Sequence, residues 1–434
     1  MKTKQAAALL LVTLALMTAA CSSSTKSSTP STTTVPSSAT TVPSSATTVP
    51  PTTTTIPANA GTWSPIPNGF YAAGAPTAWT GTELLVARSG CCGGVGSVDL
   101  EAFDPASNTW HQLPPTPLTP RSGAAGAWTG TEMVMAGGLA SPDGLREDAA
   151  PATDGAAWNA STNTWHAIAP MPTTLPDLGN PTAVWTGTEV LVWSSAPAFT
   201  PGTNGSEVVL AYNPLTNTWR KLPPSGLTSR QGAVAVWTGN QLVVWGGLNS
   251  DNTSAYADGA RLDPVTGTWH RLPAAPVPAR GYAGAGWSGR EVLLWGGSVE
   301  AKAPGGIESV GQGAAYDPVT NRWRALPLSP LRAKSFPAAA WTGHFFIIVG
   351  GSANGVLLAP GPGAAAYDPA TNTWTVLPTA PSYPPPDPNG PTGPADQRSE
   401  GVAVWTGKAV LLVGGYDYAL QGPRSDGIKW QPAG

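Results

Sequence analysis

Of 434 residues only 11% are charged, yet 41% are apolar and 19 are Trp, which excludes a disordered polyelectrolyte and leaves ample material for a core. Gly and Pro number 51 and 47, a composition for short strands and tight turns rather than long helices. All 25 acids and 19 of the 22 basic residues lie beyond residue 60, and the six net negative charges left there argue against nucleic acid as a partner.

The chain opens with Lys2 and Lys4, followed by an apolar run from Ala6 to Met17 that is too short to span a bilayer comfortably. Residues 1–21 therefore read as an export signal. Its end, Thr18-Ala19-Ala20-Cys21, resembles the lipobox of bacterial lipoproteins, although Thr18 stands where that family usually has an aliphatic residue. The resemblance implies acylation of Cys21 and anchoring to the outside of a bacterial membrane. The alternative is ordinary cleavage after Ala20 and secretion. Residues 22–60 then read as a tether: Ser22 to Pro57 is almost wholly Ser, Thr, Pro, Ala and Val, with Lys26 its only charge. Such a segment cannot bury enough surface to fold, and extended at about 3.1 Å per residue it reaches on the order of 110 Å. Its Ser/Thr-Pro content also suits O-glycosylation.

From residue 61 onward three signatures recur in fixed order. Trp-Thr-Gly, once Trp-Ser-Gly, begins at Trp79, Trp128, Trp185, Trp237, Trp287, Trp341 and Trp405. An apolar run follows, as in Leu242-Val-Val-Trp-Gly-Gly247, and then a turn such as Tyr316-Asp-Pro-Val-Thr-Asn-Arg-Trp323. The closing Trp falls at Trp63, Trp110, Trp165, Trp219, Trp269, Trp323 and Trp374. Each unit maps onto four strands, with glycine suiting the first hairpin turn and Asp, Pro and Asn or Gly suiting the turn into the fourth strand. Trp63 is a fourth strand without a first three, while the chain after Trp405 supplies only three. The pattern therefore predicts an all-β, seven-bladed propeller over 61–434, closed by an N-terminal fourth strand that completes the last blade.

The Gly-Gly pairs ending the apolar runs at Gly137-Gly138, Gly246-Gly247, Gly296-Gly297, Gly350-Gly351 and Gly414-Gly415, with an aromatic and a Trp following at set spacing, resemble the kelch repeat. Arg88-Ser89 and Ser194-Ser195 depart from it in blades 1 and 3. The resemblance extends to the propeller of galactose oxidase, which would imply copper held by His, Tyr and a cross-linked Cys. This chain offers no matching set: His111, His166 and His270 each follow a closing Trp on separate blades, and His344 sits in a hairpin turn. No cofactor or metal is expected. The vicinal pair Cys91-Cys92 either closes a strained ring disulfide in an oxidising compartment or remains two small thiols in a Gly-rich loop.

All 19 Trp fall in repeat positions, so candidate ligand residues come from elsewhere. Seven residues before the opening Trp a cation recurs at Arg121, Arg230, Arg280, Lys334 and Arg398. Four residues before the third-strand aromatic slot an acid recurs at Asp99, Asp154, Asp258 and Asp426. These columns are expected at the mouth of the central channel. There they either form a polar pocket for an anionic sugar, a carboxylate or a peptide, or satisfy backbone groups and each other between blades. Tyr256, Tyr383, Tyr416 and Tyr418 break the repeat in variable loops, on the face where function concentrates. The reading that follows is a monomeric, non-catalytic binding propeller in the cell envelope, recognising a glycan or a protein and held to the membrane by its lipid. The alternative is an extracytoplasmic carbohydrate-active enzyme. Similar propellers include sialic-acid mutarotases, which need only an acid/base pair and cations to hold the carboxylate.

Overall fold

The computed structural model describes residues 61–69, 75–88, 97–142, 144, 148–176, 181–198, 205–300, 307–353, 362–381, 398–417 and 422–433. Cys21, the segment 22–60, Cys91, Cys92, Tyr383 and Tyr418 lie outside them. The described chain is all-β, and it contains seven four-stranded antiparallel sheets.

Each sheet begins with the short strand that leads into Trp-Thr-Gly, such as Val234–Trp237. The turn is fixed locally. The Thr238 hydroxyl accepts the Gln241 N–H at 3.2 Å and donates to the Gln241 carbonyl at 3.0 Å. Gly239 then takes φ 94°, which a side chain would resist. Thr80 with Glu83 and Ser288 with Glu291 make the same bonds, which is why Ser substitutes for Thr without loss. The second strand, Leu242–Trp245, is buried at every position because sheets cover both of its faces. The third, Gly259–Asp263, meets the fourth, Thr268–Arg271, through the Asp-Pro turn. There Asp263 accepts the Val265 N–H at 2.9 Å. In blades 3, 5 and 6 an Asn holds the left-handed position, and its side chain accepts the third-strand hydroxyl: Tyr212 to Asn217 at 3.0 Å, Tyr316 to Asn321 at 2.8 Å and Tyr367 to Asn372 at 2.6 Å.

The sheets pack in sequence order. Blades 1 and 2 share the cluster of Leu85, Leu100, Met133 and Met135, and blades 3 and 4 that of Leu191, Trp193, Leu242 and Val244. Comparable clusters lie between blades 2 and 3, 4 and 5, 5 and 6, and 6 and 7. A last one joins Leu411 and Val413 of blade 7 to Leu84, Val86 and Phe103 of blade 1. Thr62–Ile66 pairs with Gly427–Gln431 in the sheet of Val402–Trp405 and Val410–Val413, with Trp63 opposite Trp430. The closing Trp also latches neighbours. Trp165 donates its indole N–H to the Pro114 carbonyl of the preceding blade at 2.8 Å, Trp219 to Ala169 at 2.8 Å and Trp63 to Pro378 at 2.7 Å. Each such bond contributes about 1 kcal/mol net.

First strands of neighbouring blades contact one another, Gly284–Trp287 with Ala338–Trp341 and Ala338–Trp341 with Val402–Trp405, which puts them nearest the axis. Their Trp-Thr-Gly ends point to one face. Their N-terminal ends, with the loops between second and third strands, point to the other.

Candidate functional site

The cation column lies at those N-terminal ends, and the side chains turn inward rather than into the mouth. Arg121 is 1% exposed, as are Arg230, Arg280 and Lys334, and Arg398 is 2% exposed. The residue after each cation bridges to the loop beyond the second strand, for instance Gln231 with Leu248 and Ser399 with Tyr416. That pairing fixes the backbone so that the cation lies across its own blade. Arg121 donates to both carboxylate oxygens of Asp154 at 2.9 Å and to the Gly137 carbonyl at 3.2 Å. Arg230 reaches Asp258 at 2.8 Å and the Gly246 carbonyl at 3.0 Å. Arg398 reaches Asp426 at 3.3 Å and the Gly414 carbonyl at 3.1 Å.

The two columns thus meet within blades 2, 4 and 7, not between blades. Arg121 and its hydrogen bonds hold the Asp154 carboxyl below its ordinary range. For Asp258 burial opposes ionisation, but Arg230 and Arg271 outweigh it and the net shift is downward. Asp426 follows the same pattern with Arg424 and Arg398. Asp99 has a different role, accepting the Thr116 N–H at 2.9 Å. Tyr256 lies under the Arg230 guanidinium, 4.4 Å from its carbon to the ring centre, a cation–π contact. Tyr416 pairs through its backbone with Ser399.

Two residues past the cation lies a position the sequence reading passed over. Every described member has positive φ. Blades 2 and 4 use glycine there, Gly123 and Gly232, both at 64°. Blades 5, 6 and 7 use Tyr282, Phe336 and Glu400, at 56°, 55° and 59°. Non-glycine residues in this region, and an aromatic above all, carry strain on the order of 1–3 kcal/mol each. The surroundings hold them there. Tyr282 donates its N–H to Gly232, Phe336 to Tyr282 and Glu400 to Phe336, at 2.6, 3.0 and 3.2 Å, an arc of backbone bonds from blade 4 to blade 7. The Tyr282 and Phe336 rings stack at 4.2 Å with 28° between planes. A Cβ on Gly232 would fall 2.5 Å from the Tyr282 ring, so blade 4 must be bare for that ring to lie where it does.

Electrostatics mark the same spot. Glu400 is exposed at its surface, although neighbouring protein encloses part of it. That enclosure pushes its carboxyl above the usual range. Burial, aided by the Glu400 charge, pushes the Tyr282 phenol up to about 12. An aromatic platform, a phenol that stays protonated and a carboxylate of raised basicity therefore converge at the axis of the loop face. Aligning the repeats on the cation would have exposed this column as Gly, Gly, Tyr, Phe and Glu.

The opposite face carries paired charges. His166 lies 3.1 Å from Glu132 and His344 3.7 Å from Asp368. Arg324 grips Glu291 at 2.6 and 2.8 Å beside a groove of about 570 Å³ between blades 5 and 6. None of the predicted ligand residues lines that groove. Among the described residues no three His, Cys, Asp or Glu side chains are grouped to hold a metal.

A fungal alcohol oxidase of the AA5 family, solved in complex with copper, superposes with a TM-score of 0.60 at 13% identity, covering 86% of this chain and 77% of its own. YjhT superposes with a TM-score of 0.51 at 16% identity, covering 72% of this chain and 99% of its own. Such identities carry the fold alone. No curated protein sequence matches. The family model of the KLHDC2/KLHL20/DRC7 Kelch-repeats domain, by contrast, matches residues 180–415, the stretch that holds the cation column of blades 4 to 7 and all three strained residues. The chain belongs to the kelch-repeat family, as an all-β kelch propeller.

Proposed function

We propose that this protein is a membrane-tethered kelch propeller of the bacterial cell envelope that binds a glycan or a protein at the loop-face mouth and performs no catalysis. The observation that carries the binding site is the strain at Tyr282, Phe336 and Glu400. Sister blades relieve the same backbone with glycine, and a sequence that forgoes that relief in three consecutive blades retains those side chains for contact. The tether rests on the basic start, the apolar run, Cys21 and the Ser/Thr/Pro segment to residue 60, and a lipid there leaves the propeller in reach of envelope ligands.

A glycan array probed with the compact unit Ile56–Gly434 tests the reading, with Phe336→Ala and Glu400→Gln beside it. Saturable binding that both variants lose supports the mouth. Binding that neither variant weakens moves the ligand elsewhere, and an array with no binding redirects the search to protein partners. Replacing Cys21 by Ala should shift the full chain from the membrane to the soluble fraction.

One pair favours a second reading, a sugar mutarotase or lyase. Mutarotation needs a base for the anomeric hydroxyl proton and an acid to protonate the ring oxygen. Glu400, with its raised basicity, suits the base, and the Tyr282 phenol near it, pushed up to about 12, can donate a hydrogen bond to the ring oxygen although it gives up its proton less readily than an ordinary tyrosine. Polarimetry on fresh α-sugar solutions separates the two, since a binding module leaves the rate of rotation change at background.

A further inference from the structure

The loop face shows solvent its acids and hides its cations. The five members of the cation column are 1% or 2% exposed, whereas the side chains of Asp154 and Asp258 are 57% and 50% exposed and Glu400 is exposed as well. Most of the acids there are answered. Arg121 grips Asp154, Arg230 and Arg271 share Asp258, and Arg398 and Arg424 hold Asp426. Glu400 differs. Among the described residues no cation forms an ion pair with its carboxylate and no group donates a hydrogen bond to it, so burial alone acts on its titration. A partly enclosed carboxylate without a counter-charge is unfavourable, and the fold supplies the remedy to Asp154, Asp258 and Asp426.

What stands beside Glu400 is aromatic. Its N–H bonds the Phe336 carbonyl at 3.2 Å, and the Phe336 ring stacks on Tyr282 at 4.2 Å. Its charge reaches the Tyr282 phenol, which has no hydrogen-bond partner among the described residues. Both rings are only half-buried, so a ligand has access to them and to the carboxylate together. Blade 2 leaves room beside them. A Cβ on Gly232 would strike the Tyr282 ring, but one on Gly123, at the equivalent position and the same φ, would meet no described atom within 4 Å. Among the described residues, side chains therefore fill this column from blade 5 to blade 7 and leave it open at blade 2.

A carboxylate that lacks a cation, set against an aromatic pair, is the complement of an ammonium group. The carboxylate accepts from its N–H donors, and the aromatic rings attract its charge. We propose that Glu400 and the Tyr282–Phe336 pair bind a primary ammonium group of the ligand. The inference rests on the reading of the mouth as a binding site and adds the class of ligand: an amine carried on a body that covers the half-buried rings. A hexosamine with a free amine and a lysine side chain share that chemistry. An acid would meet the unneutralised Glu400 and be repelled.

Titration calorimetry on the full chain in mild detergent, near pH 7 and at fixed ionic strength, tests it with matched probes. D-glucosamine is compared with N-acetyl-D-glucosamine, and Nα-acetyl-L-lysinamide with its Nε-acetylated form. At least one free amine should bind saturably, with its acetylated partner weaker by about tenfold, the worth of a hydrogen bond to a charged group. Binding of the hexosamine alone identifies an amino sugar, and binding of the lysinamide alone identifies a protein side chain. Glu400→Gln should abolish the preference for the free amine, whereas Phe336→Ala should weaken both members of a pair. Free and acetylated probes binding alike, neither free amine binding, or a preference that survives Glu400→Gln each overturns the proposal. The comparison on the parent chain needs no variant. The mouth reading fails separately: acetylated probes that bind as well as free amines and are lost in Phe336→Ala keep the mouth and remove the ammonium.

Discussion

At the scale of single residues, the same Arg–Asp pair has different worth in different blades because solvent reaches it differently. Removing one partner of a buried pair costs about 3–5 kcal/mol, since it strands the other charge. Asp426 approaches that limit, at 5% exposed between Arg398 and Arg424. Asp154 is 57% exposed, so water can replace it in part. Asp426→Asn should therefore cost about 3 kcal/mol or more in urea unfolding and Asp154→Asn about 1–2 kcal/mol, with the two ranked in that order. Acid should level them. Both carboxyls have lowered pKa in the fold, so their contribution is complete above the unfolded carboxyl value of about 4 and is lost as pH falls through the folded values.

Glu400 has the opposite sign. Its pKa is raised in the fold, so ionisation favours the unfolded chain, and its burden is felt above the folded pKa and vanishes below the unfolded one. Glu400→Gln should raise Tm and weaken ligand binding at pH 7, and leave Tm unchanged near pH 4. A gain in stability coupled to a loss of binding distinguishes a residue kept for contact from one kept for folding. A drop in Tm at pH 7 would assign Glu400 to the architecture instead.

At the scale of strands and turns, what the sequence disclosed is what neighbours in sequence decide. Trp-Thr-Gly and Asp-Pro…Asn are complete local instructions: a hydroxyl or carboxyl to take the N–H groups of the turn, and a residue that tolerates positive φ. Strand order and the N-terminal strand followed from counting these signals. The fate of Arg121 or Arg230 was not legible, because whether a cation faces the mouth or lies across its blade depends on the bridge made by the next residue to a loop some 17 positions away, Gln231 with Leu248. The strained column escaped for a related reason, since φ is not written in the identity of Tyr282 or Phe336. Only the glycines at equivalent positions disclose it.

The turn mechanism makes its own prediction. Asn321 holds φ 54° and accepts the Tyr316 hydroxyl, whereas blade 4 has Gly267 at that position and no such bond. Asn321→Gly should cost about 1 kcal/mol, the hydrogen bond alone. Asn321→Ala should cost roughly another 1 kcal/mol for a left-handed residue that lacks a suitable side chain. Equal costs would mean that the backbone conformation carries no strain there.

At the scale of the whole molecule, stability depends on every blade having two neighbours, and the short strand Thr62–Ile66 supplies contacts on both sides of blade 7. Trp63 packs with the cluster between blades 6 and 7, while Ile66, 0% exposed, sits in the one between blades 7 and 1. Its backbone covers Gly427–Gln431, which would otherwise be an open edge beside Trp430. Losing the burial of Ile66 alone costs about 2–5 kcal/mol, and the exposed edge adds a template for pairing between chains. A chain that starts at Gly61 should therefore melt in one cooperative transition, and one that starts at Pro67 should melt lower and elute as aggregates on size exclusion. Added peptide spanning 61–68 should restore the monomer by filling the edge in trans. If the shorter chain were monomeric and equally stable, the ring would hold by face-to-face packing of blade 7 alone, and the pairing of Trp63 with Trp430 would be dispensable.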